Sequence, residues 1–449
     1  MLSSCKSLST TRNIIQQDPQ IQVYINHRRT GNKSYTDPYR KITREGDNLE
    51  ELIITSIHQA QSQIAIATQE LQLPEIALAL AKKARAGVKV RVILENNYSQ
   101  AISDYSQGEI NSLSKQKRDR YNRYFQFIDI DKNNNLSPQE IATRDALKIL
   151  EQANIPIIDD RADGSKGSGL MHHKFIIIDG QTLVTGSTNL TLSGIHGDEN
   201  NPNTRGNANH LLKISSTELA ELFSQEFELM WGDGAGGNFD SRFGLDKPYR
   251  SPQEVWVGNS KITVQFAPTS RKSDWDSSTN GLIGEVISQA NNSVDMALFV
   301  FSDQQIANLL QQRYRQGIRI RGLIDAQFIF RYYSEALDML GVAIARKCKY
   351  EPNNKLWSNP IKTIGTANLA RGDKLHHKLA IIDEQIVITG SQNWSAAANH
   401  QNEEVVLVID NQTVAQHFNQ EFARLYQDAN LGLPNQIKLK IEGQKSKCN

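Results

Sequence analysis

The 449-residue sequence carries one nineteen-residue stretch twice: MHHKFIIIDGQTLVTGSTN at 171–189 and LHHKLAIIDEQIVITGSQN at 375–393. A stretch that long, recurring in one chain, confines the fold to two copies of one unit. Three more anchors repeat in the same order. GVKVRVILE begins at Gly87 and GIRIRGLID at Gly317, and the stretches at 59–67 and 289–297 keep the same offset of 230. The closing segments, FSQEFELMW from Phe223 and FNQEFARLY from Phe418, lie 195 apart. Each copy reads as helix, strand, helix, strand, the repeated segment, a further strand and a closing helix. Short Val/Ile-rich runs alternate with spans that are apolar at helical spacing, such as LPEIALALAKKARAG, which predicts a tandem α/β sandwich. The expected divisions are an N-terminal segment at 1–44, a first half at 45–231, a Gly/Asp/Ser-rich linker at 232–260, a second half at 261–428 and a loose polar tail at 429–449.

With 39% hydrophobic and 22% charged residues, the composition is that of a soluble globular protein. No apolar run is long enough for a transmembrane helix. A formal charge of +1 provides no global field for a polyanion, so a nucleic-acid partner would need a local strip. RYRQGIRIR (313–321) and FIFRYY (328–333) interleave Arg with aromatics in the manner of such a strip. Cys5, Cys348 and Cys448 are odd in number and far apart, and predict neither a disulfide framework nor a zinc cluster. The first residues show no signal peptide as written. Leu2-Ser3-Ser4-Cys5 nevertheless resembles a lipoprotein cleavage box, so export or lipid anchoring is the alternative if the start codon is mis-assigned.

In HHKFIIID, residues two apart share a strand face, so His172 and Lys174 project together and His173 turns away. A two-residue turn at Gly180-Gln181 would set Lys174 opposite Ser187 and His172 opposite Asn189. A turn at Glu384-Gln385 would likewise pair Lys378 with Ser391 and His376 with Asn393, with His377 facing away. Each hairpin thereby gathers an imidazole, an ammonium, a hydroxyl and a carboxamide. The donors suit the non-bridging oxygens of a pentacoordinate phosphorus, and imidazole can attack or carry a proton near neutral pH. Two hairpins supply two histidines, one to attack and one to protonate the leaving alcohol, with no cofactor for catalysis.

The pattern His-x-Lys-x4-Asp-x6-Gly-Ser-x-Asn is met by His172, Lys174, Asp179, Gly186, Ser187 and Asn189, and again by His376, Lys378, Asp383, Gly390, Ser391 and Asn393. Twice present, it resembles the signature of the phospholipase D superfamily, over roughly residues 45–428. The resemblance implies two α/β sandwich halves related by a pseudo-twofold, an active site at their interface and function as a monomer. It implies phosphodiester hydrolysis through a covalent phosphohistidine, with phospholipids cleaved to phosphatidic acid as the leading reading. Nuclease-type cleavage of DNA or RNA is the alternative, and a calcium-dependent binding module with a vestigial site is a third reading. The family's Asn-x-Glu is met by Asn402-Glu403-Glu404, whereas the first half reads Asn207-Ala208-Asn209 and lacks the carboxylate. In the family that carboxylate reaches across to the other half's histidine, which makes His172 the nucleophile and His376 the acid. A same-half pairing swaps them. Asp179 and Asp383 close their strands, in the chemistry or in support of the backbone.

From Gly87 to His172 is 85 residues and from Gly317 to His376 is 59, an excess of 26 in an insertion near 110–150. There, DIDKNNNLSPQE places Asp129, Asp131, Asn133, Asn135 (through its carbonyl), Ser137 and Glu140 at the ligand spacing of an EF-hand calcium loop, which it resembles. Asn134 stands where glycine is expected, and Asn tolerates the left-handed turn. The second half is complete without this loop, so the insertion is expected to serve stability.

Overall fold

The structure, a computed structural model, describes residues 15–29 and 34–448; Cys5 and its neighbours lie outside the described residues. The first sheet holds seven strands: β1 (Ile21–Ile25), β2 (Gln63–Thr68), β3 (Lys89–Leu94), β4 (Ile157–Asp159), β5 (Lys174–Ile178), β6 (Thr182–Gly186) and β7 (His210–Ser215), in the order β1-β7-β6-β5-β2-β3-β4. The second holds nine: β8 (Gln253–Val257), β9 (Ser260–Phe266), β10 (Ser293–Leu298), β11 (Arg319–Ile324), β12 (Ile364–Thr366), β13 (Lys378–Ile382), β14 (Ile386–Gly390), β15 (Val405–Asp410) and β16 (Asn430–Leu431). Their order is β8-β9-β15-β14-β13-β10-β11-β12-β16, which repeats the first sheet's pattern. The duplicated α/β architecture is therefore present. The first sheet takes its edge strand β1 from the expected N-terminal segment, and the second takes β8 from the expected linker.

The motif strands KFIII and KLAII are buried along their whole length, because both faces of each sheet are covered. On one side lies a core private to each half. On the other, the closing helices Thr217–Trp231 and Gln412–Gln427 bring Phe223, Phe227, Phe418 and Phe422 into one core with Phe175, Ile177, Leu379 and Ile381 of the two sheets. Their apolar residues recur at helical spacing, and Ser216 and Asn411 cap their first turns by accepting from Leu219 N and Val414 N.

The halves also share backbone hydrogen bonds. Glu403 N donates to the Leu170 carbonyl at 2.8 Å and His172 N donates to the Glu403 carbonyl at 3.1 Å. Pseudo-symmetrically, Ala208 N donates to the Lys374 carbonyl at 2.7 Å and His376 N to the Ala208 carbonyl at 3.0 Å. The residues entering each motif are thus joined to the segment before the other half's last strand.

Three expectations change. The hairpin turns contain three residues, since Ile178 pairs with Thr182 and Ile382 with Ile386, one register step from the two-residue turns. Asp179 and Asp383 enter the left-handed region (φ 52° and 53°) because their carboxylates accept from the backbone amides of 61–63 and 291–293. The loose tail is instead a helix, Asn435–Cys448. A disulfide, Cys348–Cys448, joins it to the loop that follows the short helix Glu335–Met339, contrary to the expectation from cysteine number.

Candidate active site

His172 and His376 enter the site immediately before β5 and β13, each fixed by the shared backbone bonds above. Both line one cavity of about 610 Å³ between the halves, together with Asn189 and Asn393. His172 Nδ1 lies 2.8 Å from Glu404 Oε2, and that oxygen also accepts from Ser391 Oγ at 2.6 Å. The mirror arrangement has no carboxylate. His376 Nδ1 lies 3.0 Å from Asn209 Oδ1 and 3.0 Å from the Ser187 carbonyl, while Ser187 Oγ donates to Asn209 Oδ1 at 2.8 Å. Each histidine is therefore held by the opposite half. With Nδ1 facing acceptors, Nε2 is the nitrogen left to act in both rings.

Burial lowers the pKa of His172 to about 4; the Glu404 carboxylate opposes this shift and Lys174 adds to it. His376 is pushed well below the usual imidazole range by burial and by Lys378 and Lys174. Burial would raise Glu404, but the charges of His172 and Lys174 and the bond from His172 hold it below the usual carboxylate range. Burial lowers Lys174 to about 8, and burial together with Lys174 lowers Lys378 well below the usual range. Lys174 Nζ donates to the His172 carbonyl at 2.7 Å and Lys378 Nζ to the His376 carbonyl at 2.8 Å. The lysines thus sit beneath the histidines as a positive floor. The carboxamide oxygens of Asn189 and Asn393 are buried and unpartnered.

Other expected residues take different places. The strands end at Gly186 and Gly390, so strand alternation does not aim the residues beyond them. Ser187 and Ser391 are buried and position Asn209 and Glu404, instead of donating to a substrate. Asp179 and Asp383 stand at the far ends of β5 and β13, roughly 20 Å along the strand from the histidines. They anchor the start of a neighbouring strand and take no part in the site. Within the arginine strip, Arg321 makes two bonds to Asp295 at 2.7 and 2.6 Å, and the half-exposed Arg319 approaches the same carboxylate at 3.5 Å.

Reading the sequence missed the layer behind the site. His173 and His377 pack inward, reaching Glu226 at 3.3 Å and Glu421 at 3.2 Å. Both glutamates belong to the repeated QEF of the closing helices, and that repetition was the available signal. Lys247 donates to Glu226 and Glu403, and Arg250 Nε lies 3.1 Å from Glu226, so two cations of the protein balance the two carboxylates of the buried His173–Glu226–Glu403 group.

The insertion is part of the cavity. Its helix Lys115–Ile128 contributes Arg120, Arg123, Tyr124 and Phe127 to the wall, which corrects the expectation of a purely stabilising accessory. The loop that follows brings ligand atoms of Asp129, Asp131 and Glu140 within 4.8 Å of one another. Asn134 adopts φ 61°, the conformation for which glycine is usual. Asn133 lies against Asp131, its Nδ2 donating at 2.8 Å, and Ser137 caps the helix Pro138–Arg144 in a capping box with Glu140. The donor set of oxygens fits a hard divalent cation.

A family model described as cardiolipin synthase, PLD-like domain, matches residues 53–231 and 283–426. The mitochondrial cardiolipin hydrolase of Canis lupus familiaris is 28% identical over 141 residues, 31% of this chain and 48% of that protein. The chain thus spans about half the length of that relative. A phospholipase D of Rickettsia conorii is 26% identical over 166 residues, 37% of this chain and 70% of the relative. Among solved structures, phosphatidylserine synthase of Haemophilus influenzae superposes with a TM-score of 0.54 at 12% identity, covering 97% of this chain and 96% of that one, a likeness of fold.

The geometry around Nδ1 predicts a titration. His172 should stay neutral down to about pH 4 in an NMR titration, against 6.5 for an unperturbed imidazole. Because the Glu404 charge raises that pKa, Glu404→Gln should lower it further. An ordinary midpoint near 6.5, or an upward shift in the variant, contradicts the assigned contact.

Proposed function

Since the chain belongs to the PLD-like family whose domain model spans most of both halves, we propose that it is a phosphodiesterase working through a covalent phosphohistidine. The observation that carries this reading is the pair of histidines facing one cavity, each held at Nδ1 by the opposite half. His172 Nε2 attacks phosphorus and the bond to the leaving alcohol breaks. That alcohol takes a proton from Nε2 of His376, which enters the step protonated. Water then attacks the phosphohistidine, gives a proton back to His376, and releases the phosphomonoester and His172.

The roles follow from charge. Attack places positive charge on the imidazole, and Glu404 compensates it beside His172, whereas Asn209 leaves His376 uncompensated and therefore a stronger acid once protonated. The negative substrate favours that proton by raising the pKa of His376. Lys174, charged below about pH 8, lies beneath the developing oxyanion with Lys378 beside it, and Asn189 and Asn393 offer carboxamides at its edge.

Phospholipids are the favoured substrates, hydrolysed to phosphatidic acid and a free head group. Support comes from the names of the relatives, a cardiolipin hydrolase and a phospholipase D. Cleavage of DNA or RNA is the alternative; the paired state of Arg319 and Arg321 weighs against it. No described helix is long and apolar enough to cross a membrane. The insertion loop would hold calcium through Asp129, Asp131, Asn133, the Asn135 carbonyl, Ser137 and Glu140. The ion would tie together the helices on either side of the loop.

His172→Ala and His376→Ala should each lower hydrolysis of phosphatidylcholine, cardiolipin or a bis-aryl diester by about three orders of magnitude or more, as losses within one catalytic unit do. Near-wild-type turnover in either variant excludes a shared site. Acid-labile phosphate trapped during turnover should map to the peptide containing His172; label on His376 would reverse the roles.

Lys174 carries charge below its pKa and loses it above, so kcat/KM should fall on the alkaline side from about pH 8. Lys174→Arg should move that limb upward, since arginine does not deprotonate in the range.

Millimolar calcium should raise the melting temperature, since a ligand of the folded state contributes about 1.4 kcal/mol at tenfold saturation. Glu140→Gln should abolish the rise. An equal rise in both proteins would place the ion elsewhere.

A further inference from the structure

Three basic side chains, Arg120, Arg123 and Lys374, line the cavity above the histidines, against three acidic ones, Glu70, Asp198 and Glu199. Arg120 is already committed: its guanidinium is 3.0 Å from Glu70 and 3.8 Å above the Tyr98 ring. Lys174 and Lys378 are tied to the carbonyls beneath the histidines. Arg123 and Lys374 differ. Both line the cavity, Arg123 from the insertion helix and Lys374 from the approach to the second motif. Among the described residues, no carboxylate lies within 4.0 Å of either. The Lys374 ammonium lies 5.8 Å from the Phe299 ring centre, and its amide, by contrast, is fixed by Asn207 Oδ1 at 2.9 Å. A cation without a close counter-ion at the wall of a cavity attracts an anion.

We propose that Arg123 and Lys374 form a second anion subsite, which selects diesters bearing another negative group beyond the scissile phosphate. This rests on the phosphodiesterase reading above. The occupant is a small substrate, not a strand. The carboxylates of Asp198 and Glu199 line the same cavity with no basic side chain within 4.0 Å of them among the described residues, and they interrupt the basic surface that a polyanion would follow. A volume of about 610 Å³ suits a compact head group with two phosphates, and Leu170, Leu192 and Phe127 on its walls suit the apolar part of a lipid. The insertion, absent from the second half, then sets specificity by supplying Arg123.

The test compares wild type, Arg123→Ala and Lys374→Ala on phosphatidylglycerol and diphosphatidylglycerol in identical detergent micelles. A parallel arm uses a nitrophenyl thymidylate with and without a second phosphate. Arg123 is exposed and Lys374 half-buried, so neither variant opens a hole in the core. Wild type should prefer the diphosphorylated lipid. Each substitution should cut that preference in kcat/KM about tenfold or more, mainly through KM, as loss of a charge-assisted contact does. A preference within twofold of wild type in both variants overturns the subsite, and a loss confined to the nucleotide pair overturns the lipid occupant. Calorimetric binding of inorganic pyrophosphate needs no turnover. Tenfold weaker binding by Arg123→Ala supports the subsite even if no diester is cleaved, an outcome that would instead sink the phosphodiesterase reading. Equal binding by wild type and variant overturns the subsite.

Discussion

The backbone bonds between residues 170–172 and Glu403, and between 374–376 and Ala208, fix everything else in the site. They are short, buried and duplicated, and they join each histidine's approach to the strand that carries the other half's orienting residue. Their consequence is a carboxylate that crosses the pseudo-twofold. Glu404 is fully buried, and its charge is tolerable only because His172, Ser391 and the lysines beneath surround it. Neither half could hold its own histidine in this way. The shared apolar core of the closing helices makes the same point in packing terms, since each supplies phenylalanines to a core that belongs to both sheets.

Near-symmetry of backbone goes with asymmetry of charge between the two copies. Glu404 and Asn209 occupy twin positions, contact the opposite histidine at similar distances and take a bond from the local serine. They differ in a carboxylate against a carboxamide, on a side chain one methylene shorter in Asn209. A carboxylate lowers the free energy of a cationic imidazole and a carboxamide does so far less, so geometry can stay fixed while the two rings diverge in basicity. The same economy appears behind the site, where His173–Glu226 and His377–Glu421 repeat, yet Lys247 joins one pair and Arg424 the other.

The largest departure from symmetry is the insertion, and its position gives it a share of the cavity wall. The helix that delivers Asp129 to the oxygen-rich loop presents Tyr124 and Phe127 to the cavity in its last turns. A change in that loop therefore has a short, rigid path to the cavity wall.

The repeat of HHK and GS-x-N by itself determined that the chain is a duplicated α/β protein with one histidine–lysine pair in each copy, because strand alternation and residue chemistry are local properties. Glu404 could be singled out as the unpaired carboxylate, but not which histidine it meets. That contact is non-local, made by residues 232 positions apart, and only the tertiary pairing of the halves decides it. Local reasoning also went astray where a side chain overrode the backbone pattern. The carboxylates of Asp179 and Asp383 bond to amides across the sheet, draw an extra residue into each turn and shift the register. Ser187 and Ser391, placed by pattern toward a substrate, turn inward because a buried carboxamide and a buried carboxylate each need a donor. The pairing of Cys348 with Cys448, and the presence of Arg123 on the wall of the cavity that holds the histidines, rest on how distant segments approach, which no spacing along the chain encodes.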